Sequence, residues 1–179
     1  MSKIRIAITG PPGSGKSTLL NKVVNYLRSK GFTIGGIICP DVRDSRGFRV
    51  GFKIIDILTG KEAWLAKKGY GRGPRIGKYI VNVHEAGKLG VEALSLALER
   101  ADIIAIDEIG PMELLINELK NSFINVLKSD KHVIVVHHYK LSDPTILALL
   151  KSYKRYVVSR ENRERLYHEI ISYIKSYIA

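Results

Sequence analysis

Cysteine, tryptophan and acidic residues are scarce in this chain of 179 residues. The single cysteine, Cys39, excludes an intramolecular disulfide and any zinc or iron–sulfur site built from several cysteines. Uninterrupted aliphatic runs such as Ile103–Ile106 and Val133–Val136 have only four residues, whereas a membrane-spanning helix needs about 20 apolar residues. The opening residues, Met1–Arg5, do not have the pattern of a signal peptide, so we expect a protein of the reducing cytoplasm.

The shortage of acidic residues leaves the chain strongly basic. Lys and Arg number 29 against 17 Asp and Glu, which gives a formal net charge of +12. Such a charge favours polyanionic partners, namely nucleic acid, acidic lipid or phosphorylated small molecules, although a solvated basic surface explains it equally well. Charge alone therefore does not identify the function.

Strand and helix patterns alternate along the chain, which predicts one three-layer α/β domain over residues 1–179 with a mostly parallel central sheet. The patterns predict strands at Ile4–Thr9, Thr33–Cys39, Tyr79–Val83, Asp102–Ile106, Lys131–Val136 and Arg155–Val158, and helices at Lys16–Ser29, Glu85–Arg100, Met112–Lys128, Pro144–Lys151 and Asn162–Tyr177.

Two segments depart from this alternation. Residues 46–57 combine β-branched and aromatic residues with glycines, which predicts an antiparallel ribbon inserted into or appended to the sheet. Residues 66–78 contain four glycines, one proline and five positive charges, which predicts a mobile basic loop. This loop is interpreted as a lid over a triphosphate, a nucleic-acid contact or a solvated loop.

The segment Gly10–Ser17 matches the phosphate-loop pattern G-x-x-x-x-G-K-[ST] in full, between a predicted strand and a predicted helix. The glycines let successive backbone N–H groups turn inward, and together with the positive end of the helix they form a cradle for phosphate. Lys16 would reach the β- and γ-phosphates, the Ser17 hydroxyl would bind Mg²⁺, and Thr18 would lie near the α-phosphate.

An acidic pair, Asp107 and Glu108, follows the apolar strand Ile103–Ile106. Such a strand delivers its last residues to the sheet edge where ligands of open α/β folds bind. Asp107 is therefore a predicted Mg²⁺ ligand with Ser17, and Glu108 is predicted to polarise the water that attacks the γ-phosphorus. Glu108 favours hydrolysis over kinase chemistry.

With both motifs in place, the sequence resembles the thermophilic nucleoside-triphosphatases, which are related to the animal cancer-related nucleoside-triphosphatase. The resemblance runs almost end to end and is most specific at the run from Asp107 to Glu113. The family usually has Glu-Val-Arg where this chain has Asp41-Val42-Arg43. The other matching segments are Gly10–Thr18, Val50–Phe52, Gly77–Val81, Leu114 and Glu161–Arg163.

The resemblance implies a RecA-like P-loop NTPase fold of the additional-strand, catalytic-glutamate division, in which Lys131–Val136 would stand between the phosphate-loop strand and the Asp-Glu strand. It also implies Mg²⁺-dependent hydrolysis of nucleoside triphosphates (ATP, GTP, CTP and UTP) to the diphosphate and phosphate, with broad base tolerance. No N-K-x-D guanine-reading motif is present in the chain. No membrane partner is expected, and the oligomeric state is not indicated.

The predicted site residues fall into three groups. The catalytic candidates are Glu108, Lys16 and Arg43, and the metal ligands are Ser17 and Asp107. The predicted nucleotide-binding residues are Gly10, Pro11, Pro12, Gly13, Ser14, Gly15, Lys16, Ser17, Thr18, Ile103, Ile104, Ala105, Ile106, Asp107, Glu108, Ile109, Gly110, Asn162 and Arg163.

Further candidates and functions stay open. Arg43 is the first choice for stabilising γ-phosphate charge, with Arg160 and Arg163 as alternatives near the last helix. His137 is a candidate γ-phosphate sensor, or a histidine that merely ends a strand. The alternative functions are a P-loop kinase for a small nucleotide-like acceptor and a nucleic-acid-stimulated ATPase, and nucleic acid is not the favoured partner.

Overall fold

The computed structural model describes residues 2–178, which form ten strands and six helices. The strands are β1 (Arg5–Thr9), β2 (Ile34–Ile38), β3 (Asp41–Arg43), β4 (Arg49–Asp56), β5 (Glu62–Lys68), β6 (Arg75–Ile76), β7 (Tyr79–Val81), β8 (Ile103–Ile109), β9 (His132–His137) and β10 (Lys154–Val157). The helices are α1 (Lys16–Ser29), α2 (Val83–Arg100), α3 (Pro111–Leu114), α4 (Asn117–Lys128), α5 (Pro144–Leu150) and α6 (Arg163–Ile178). No helix in this range is long and apolar enough to cross a membrane.

The strands form one sheet with a parallel half and an antiparallel half. Its order is β10-β1-β9-β8-β2-β4-β5-β7-β6, with β3 paired to β4. Every pairing from β10 to β2 is parallel, and every pairing from β2 to β6 is antiparallel. Strand β9 stands between β1 and β8, which confirms the predicted additional strand.

Helices cover both faces of the parallel half, which confirms the three-layer prediction. The central strands are apolar on both faces, as expected for a covered parallel sheet. In β8, Ile104 and Ile106 pack with α2 and α4, whereas Ile103 and Ala105 pack with α1 and α6. All four residues are fully buried, so this strand is a rigid platform for the residues at its carboxyl end.

The predicted helix at Met112–Lys128 is two helices, α3 and α4. The backbone turns at Leu115 and becomes extended at Ile116. Ile116 is buried against Gly87 of α2, so closely that a β-carbon on Gly87 would lie 2.9 Å from Ile116 Cγ2. Burial of this side chain breaks a helix that periodicity alone would continue.

The antiparallel half is larger than the predicted ribbon at 46–57, because β3, β5, β6 and β7 extend it. The prediction of a loop over 66–78 was too broad: β5 continues to Lys68, β6 is formed by Arg75–Ile76, and the parts outside strands are residues 69–74 and 77–78. The strand predicted at Tyr79–Val83 ends earlier, since Val83 begins α2.

Candidate active site

The phosphate loop connects β1 to α1 and has the geometry that its glycines permit. Gly13 and Gly15 have φ values of 73° and 97°, which other residues adopt only with strain. A β-carbon on Gly10 would lie 2.4 Å from the carbonyl oxygen of Val158, so only glycine fits there. The loop is therefore held open at the carboxyl edge of the parallel strands.

The Lys16 side chain folds back onto this loop. Its Nζ donates hydrogen bonds to the carbonyl oxygens of Gly10 at 2.8 Å and Pro11 at 3.3 Å. Ser14 Oγ is buried and has no hydrogen-bond partner within residues 2–178. The loop therefore presents a cation that can make charge-assisted hydrogen bonds to phosphate.

A β-bulge brings the acidic pair into one cleft. Asp107 pairs with Val136 and Ile109 pairs with His137, so Glu108 is an extra residue on β8. Successive residues of a regular strand point to opposite faces, and a bulge changes this alternation. Asp107 and Glu108 consequently line the same cleft as Lys16 and Ser17, and the cleft has a volume of about 720 Å³.

Burial raises the pKa of both carboxyl groups. The pKa of Asp107 rises from 3.8 to about 6 through burial, with a smaller raising effect from Glu108, and the Ser17 hydroxyl and Lys16 oppose the rise. Burial also raises the pKa of Glu108, and Lys16 counteracts it. Both groups therefore hold protons more strongly than surface carboxylates do.

Glu113 is a third carboxyl group at this site to which the sequence analysis gave no role. Its side chain is 4% exposed and lines the cleft. A β-carbon on Gly110 would lie 3.0 Å from both Glu108 Oε1 and Glu113 Oε2, so the two carboxyl groups converge on Gly110. Burial, followed by the charge of Glu108, raises the pKa of Glu113 to about 8, so this group is mostly neutral at pH 7.

A sequence signal for Glu113 did exist. It stands between Met112 and Leu114, directly after the acidic strand end, in a segment that is otherwise apolar. A carboxyl group on the buried face of a helix is rare unless it has a partner or a function.

The structure separates the predicted arginines. Arg43 does not line the cleft, and its guanidinium pairs with Asp41 at 2.9 Å and donates to the carbonyl oxygen of Gly47 at 3.0 Å. Arg163 does line it, and a β-carbon on Gly15 would lie 2.4 Å from Arg163 Cδ. Arg49, which was not predicted, also lines the cleft.

Asn162 stabilises the chain before α6 and does not line the cleft. Its Oδ1 accepts from the Ser159 N–H at 2.8 Å, and its Nδ2 donates to the carbonyl oxygen of Val157 at 2.9 Å. Arg160 lies nearer the phosphate loop, with Nη2 3.9 Å from the place of a β-carbon on Gly13.

The two histidines at the end of β9 differ in whether they line the cleft. His137 is the last residue of the strand, and His138 follows it. His137 is 5% exposed, and its backbone carbonyl accepts from the Thr9 hydroxyl at 2.9 Å. His138 lines the cleft, whereas His137 does not. Burial lowers the pKa of both imidazoles, which favours their neutral forms.

The remaining predicted binding residues differ in whether they line the cleft. Gly110 contacts the converging carboxyl groups rather than the cleft itself. Five residues of β8 are fully buried and do not line the cleft: Ile103, Ile104, Ala105, Ile106 and Ile109. Within the phosphate loop, Pro12, Gly13, Gly15, Lys16, Ser17 and Thr18 line the cleft, and Gly10, Pro11 and Ser14 do not.

The donor set fits a divalent cation that is held largely by its substrate. Ser17 and Asp107 both line the cleft, and the Ser17 hydroxyl interacts with the Asp107 carboxylate. Residues 2–178 contain no cluster of three or more His, Cys, Asp or Glu side chains that could hold a metal ion alone. Mg²⁺ is commonly bound by one or two protein ligands together with phosphate oxygens and water.

Comparison with known proteins agrees with this geometry. A family model described as NTPase matches residues 5–171. The nucleoside-triphosphatase THEP1 of Thermofilum pendens is 40% identical over all of both chains, and that of Hyperthermus butylicus is 42% identical over 97% of this chain and 92% of its own. The chain belongs to the THEP1 family of nucleoside-triphosphatases.

Solved structures of the family show the same fold. The crystal structure of THEP1 from Aquifex aeolicus is 28% identical, with a TM-score of 0.79 over 94% of this chain and 98% of that one. The solution structure of a human cancer-related nucleoside triphosphatase is 27% identical, with a TM-score of 0.75 over 97% of this chain and 98% of that one. The predicted fold class, family resemblance and enzyme class are confirmed.

Proposed function

We propose that this chain hydrolyses nucleoside triphosphates to the diphosphate and phosphate, with Mg²⁺ as cofactor and little discrimination between bases. The observation that carries the proposal is the bulge in β8, which puts Glu108 beside Asp107 in the cleft of the phosphate loop. A kinase must exclude water and position an acceptor hydroxyl, whereas a hydrolase needs a base for water.

Each residue of the site has a defined task in this reaction. The loop amides and Lys16 bind the phosphates, and Lys16 must turn from the carbonyl oxygens of Gly10 and Pro11 to do so. Ser17 and Asp107 would hold Mg²⁺, which supplies positive charge against the phosphate oxygens. Glu108 accepts the proton of the attacking water, and its raised pKa brings it nearer to the working pH of a general base.

The cleft away from the phosphates supports weak base discrimination. Its lining there includes Pro40, Phe52, Ile76 and Met112, which contact a ligand through shape and apolar surface. Rejection of the wrong base by large factors needs buried hydrogen-bonding groups matched to the base edges. ATP, GTP, CTP and UTP are therefore expected to be accepted at comparable rates.

Phosphate release from the four nucleotides, measured with Mg²⁺ and with a chelator, tests the proposal. We expect turnover of all four within about tenfold of one another, the lower end of the discrimination that apolar pocket contacts provide. Chelation should abolish turnover. Product formation that requires an added phosphate acceptor would contradict hydrolysis and indicate a kinase.

Glu108→Gln tests the proposed base directly. Loss of a general base lowers the turnover number by about 10²–10⁴-fold, while nucleotide affinity should change little because the amide keeps the shape of the side chain. Glu118→Gln is the matched control, since Glu118 is exposed on α4 outside the cleft. Equal turnover in the two variants would remove Glu108 from its role.

A further inference from the structure

We propose that the outer face of the antiparallel ribbon binds single-stranded nucleic acid. A second groove of about 580 Å³ lies there, between β5, β7 and the start of α2. Its cationic and aromatic lining residues are Trp64, Lys67, Lys68, Tyr70, Arg72 and His84. None of its lining residues belongs to the nucleotide cleft, so this ribbon groove is a separate site.

A second β-bulge builds this surface. Phe52 pairs with Ala66 and Lys53 pairs with Trp64, so Leu65 is an extra residue on β5. Because paired residues of neighbouring strands share a face, Trp64 and Lys67 lie on the same face although they are three residues apart. That outer face continues through Ile80 of β7, the partner of Lys67.

Two ammonium groups lie close to the Trp64 ring on this face. Lys67 Nζ is 4.8 Å and Lys53 Nζ is 5.4 Å from the centroid of the indole ring. A β-carbon on Gly51 would lie 3.0 Å from Trp64 Cζ3, so the ring packs closely on the glycine backbone. The packing on Gly51 fixes the indole in place. The two ammonium groups put positive charge beside an aromatic ring on which a base can stack.

The groove is positive and has no acidic residue among its lining residues. Of the carboxylates nearest to it along the ribbon, Glu62 pairs with Lys53, one of the two lysines beside Trp64, and Asp44 pairs with Arg46 and also interacts with Lys68. Tyr70, at the rim, is fully exposed. An exposed tyrosine on a cationic loop is available to contact a ligand rather than to pack in the core.

Single-stranded nucleic acid matches this combination better than other polyanions do. Lipid head groups and polyphosphate would use the cations but not the aromatic rings. Proteins that bind single strands combine a cationic groove with aromatic side chains on which bases stack, largely without sequence preference. A free nucleotide would occupy only one ring and few of the cations, so affinity should grow with strand length.

Trp64 provides the test, because it is the only tryptophan of the chain. The probe is an oligomer of about 12 thymidines, a length within the usual range for single-strand sites. We expect saturable quenching of the Trp64 emission, with an affinity that falls as salt rises by about 0.7 in log–log slope for each phosphate contact. Thymidine monophosphate should quench only at much higher concentration.

Charge reversal distinguishes the ribbon groove from the overall charge of the protein. The double variant Lys67→Glu/Arg72→Glu should bind the oligomer at least about tenfold more weakly, with a flatter salt slope. Lys151→Glu/Lys175→Glu changes the net charge equally at two exposed positions, one directly after α5 and one on α6, and should bind within about threefold of the unaltered protein. Thermal unfolding midpoints of both variants should match that of the unaltered protein.

Three outcomes would overturn the proposal. The first is equal affinity of the two double variants for the oligomer, because binding would then depend on the overall charge and not on the ribbon groove. The second is release of the oligomer by excess ATP in chelator, which would put it in the nucleotide cleft. The third is equal quenching by inorganic polyphosphate, which would exclude stacking on Trp64.

Discussion

The nucleotide cleft and the ribbon groove are both produced by a β-bulge, but they present opposite electrostatic environments. At Glu108 the bulge gathers carboxyl groups in a buried cleft, where burial raises their pKa values. At Leu65 it gathers an indole and a lysine on an exposed face. The same irregularity therefore contributes to the proposed hydrolytic site in a largely buried setting and to the proposed docking surface in an exposed one.

The two regions also differ in the side chains that hold them in place. The cleft stands at the carboxyl end of fully buried parallel strands, so its acidic pair is fixed by the core. The ribbon is antiparallel, and its outer face includes exposed Lys67 and Arg75. We therefore expect substitutions in the cleft to change chemistry and substitutions in the ribbon groove to change binding of large ligands.

Lys16→Ala should have the largest effect on nucleotide binding and hydrolysis. A small effect would contradict the contrast between the cleft and the ribbon groove. Removing the ammonium group takes away a charge-assisted contact to phosphate in both the ground state and the transition state. We expect nucleotide affinity to fall about tenfold or more and turnover to fall about 10²-fold or more, as measured by calorimetry and phosphate release.

Lys67→Ala is the matched control for that experiment, because it removes the same group from the ribbon groove. Turnover of this variant should stay within about twofold of the unaltered protein, as for other exposed substitutions away from a site. A comparable loss in both variants would mean that the two regions act as one.

Glu113→Gln should change how stability depends on pH. The pKa of Glu113 is raised from 4.5 in the unfolded chain to about 8 in the folded one, so the folded state binds the extra proton. The free energy of unfolding therefore falls as pH rises from about 4.5 to 8. The amide is neutral throughout, so at pH 8 the variant should be more stable than the unaltered protein, on the order of 2–4 kcal/mol.

Denaturant unfolding at pH 5 and pH 8 measures that effect. The stability difference between variant and unaltered protein should grow with pH. Part of the pH dependence below about pH 6 will remain in the variant, since the pKa of Asp107 is raised to about 6. A difference that is constant with pH would show that Glu113 is not protonated in the folded state.

The sequence predicted the parallel half of the fold and the meeting of the phosphate loop with the acidic pair, because both follow from local patterns. Aliphatic strands, helical periodicity and the phosphate-loop spacing each act over fewer than about 20 residues. The position of Asp107 and Glu108 at the site could be predicted without knowledge of the bulge, because any strand end delivers neighbouring residues to the sheet edge.

What the sequence missed depends on contacts between distant segments. The ribbon groove needs the register of β4 against β5, and the burial of Glu113 needs the α3–α4 break that Ile116 makes against α2. Spacing alone does not show that Arg49 rather than Arg43 lines the cleft, because the side chains of both arginines pair with one carboxylate, Asp41. Periodicity carries no information on such pairings.

Trp64→Ala should have the smallest effect on hydrolysis and gives the sharpest form of the comparison. Trp64 and Phe52 lie on adjacent strands across the Leu65 bulge, but Phe52 is on the inner face, where it packs edge-on to Tyr79 at 5.2 Å and lines the nucleotide cleft. Phe52→Ala should therefore raise the KM for nucleotide, while Trp64→Ala should leave kcat and KM within about twofold. The half-buried indole should still cost about 1 kcal/mol of stability when removed, less than the 3–5 kcal/mol typical of a fully buried aromatic residue. If Trp64→Ala slowed hydrolysis as much as Phe52→Ala raised KM, the two faces of the ribbon would be coupled, and the bulge would link the sites rather than separate them.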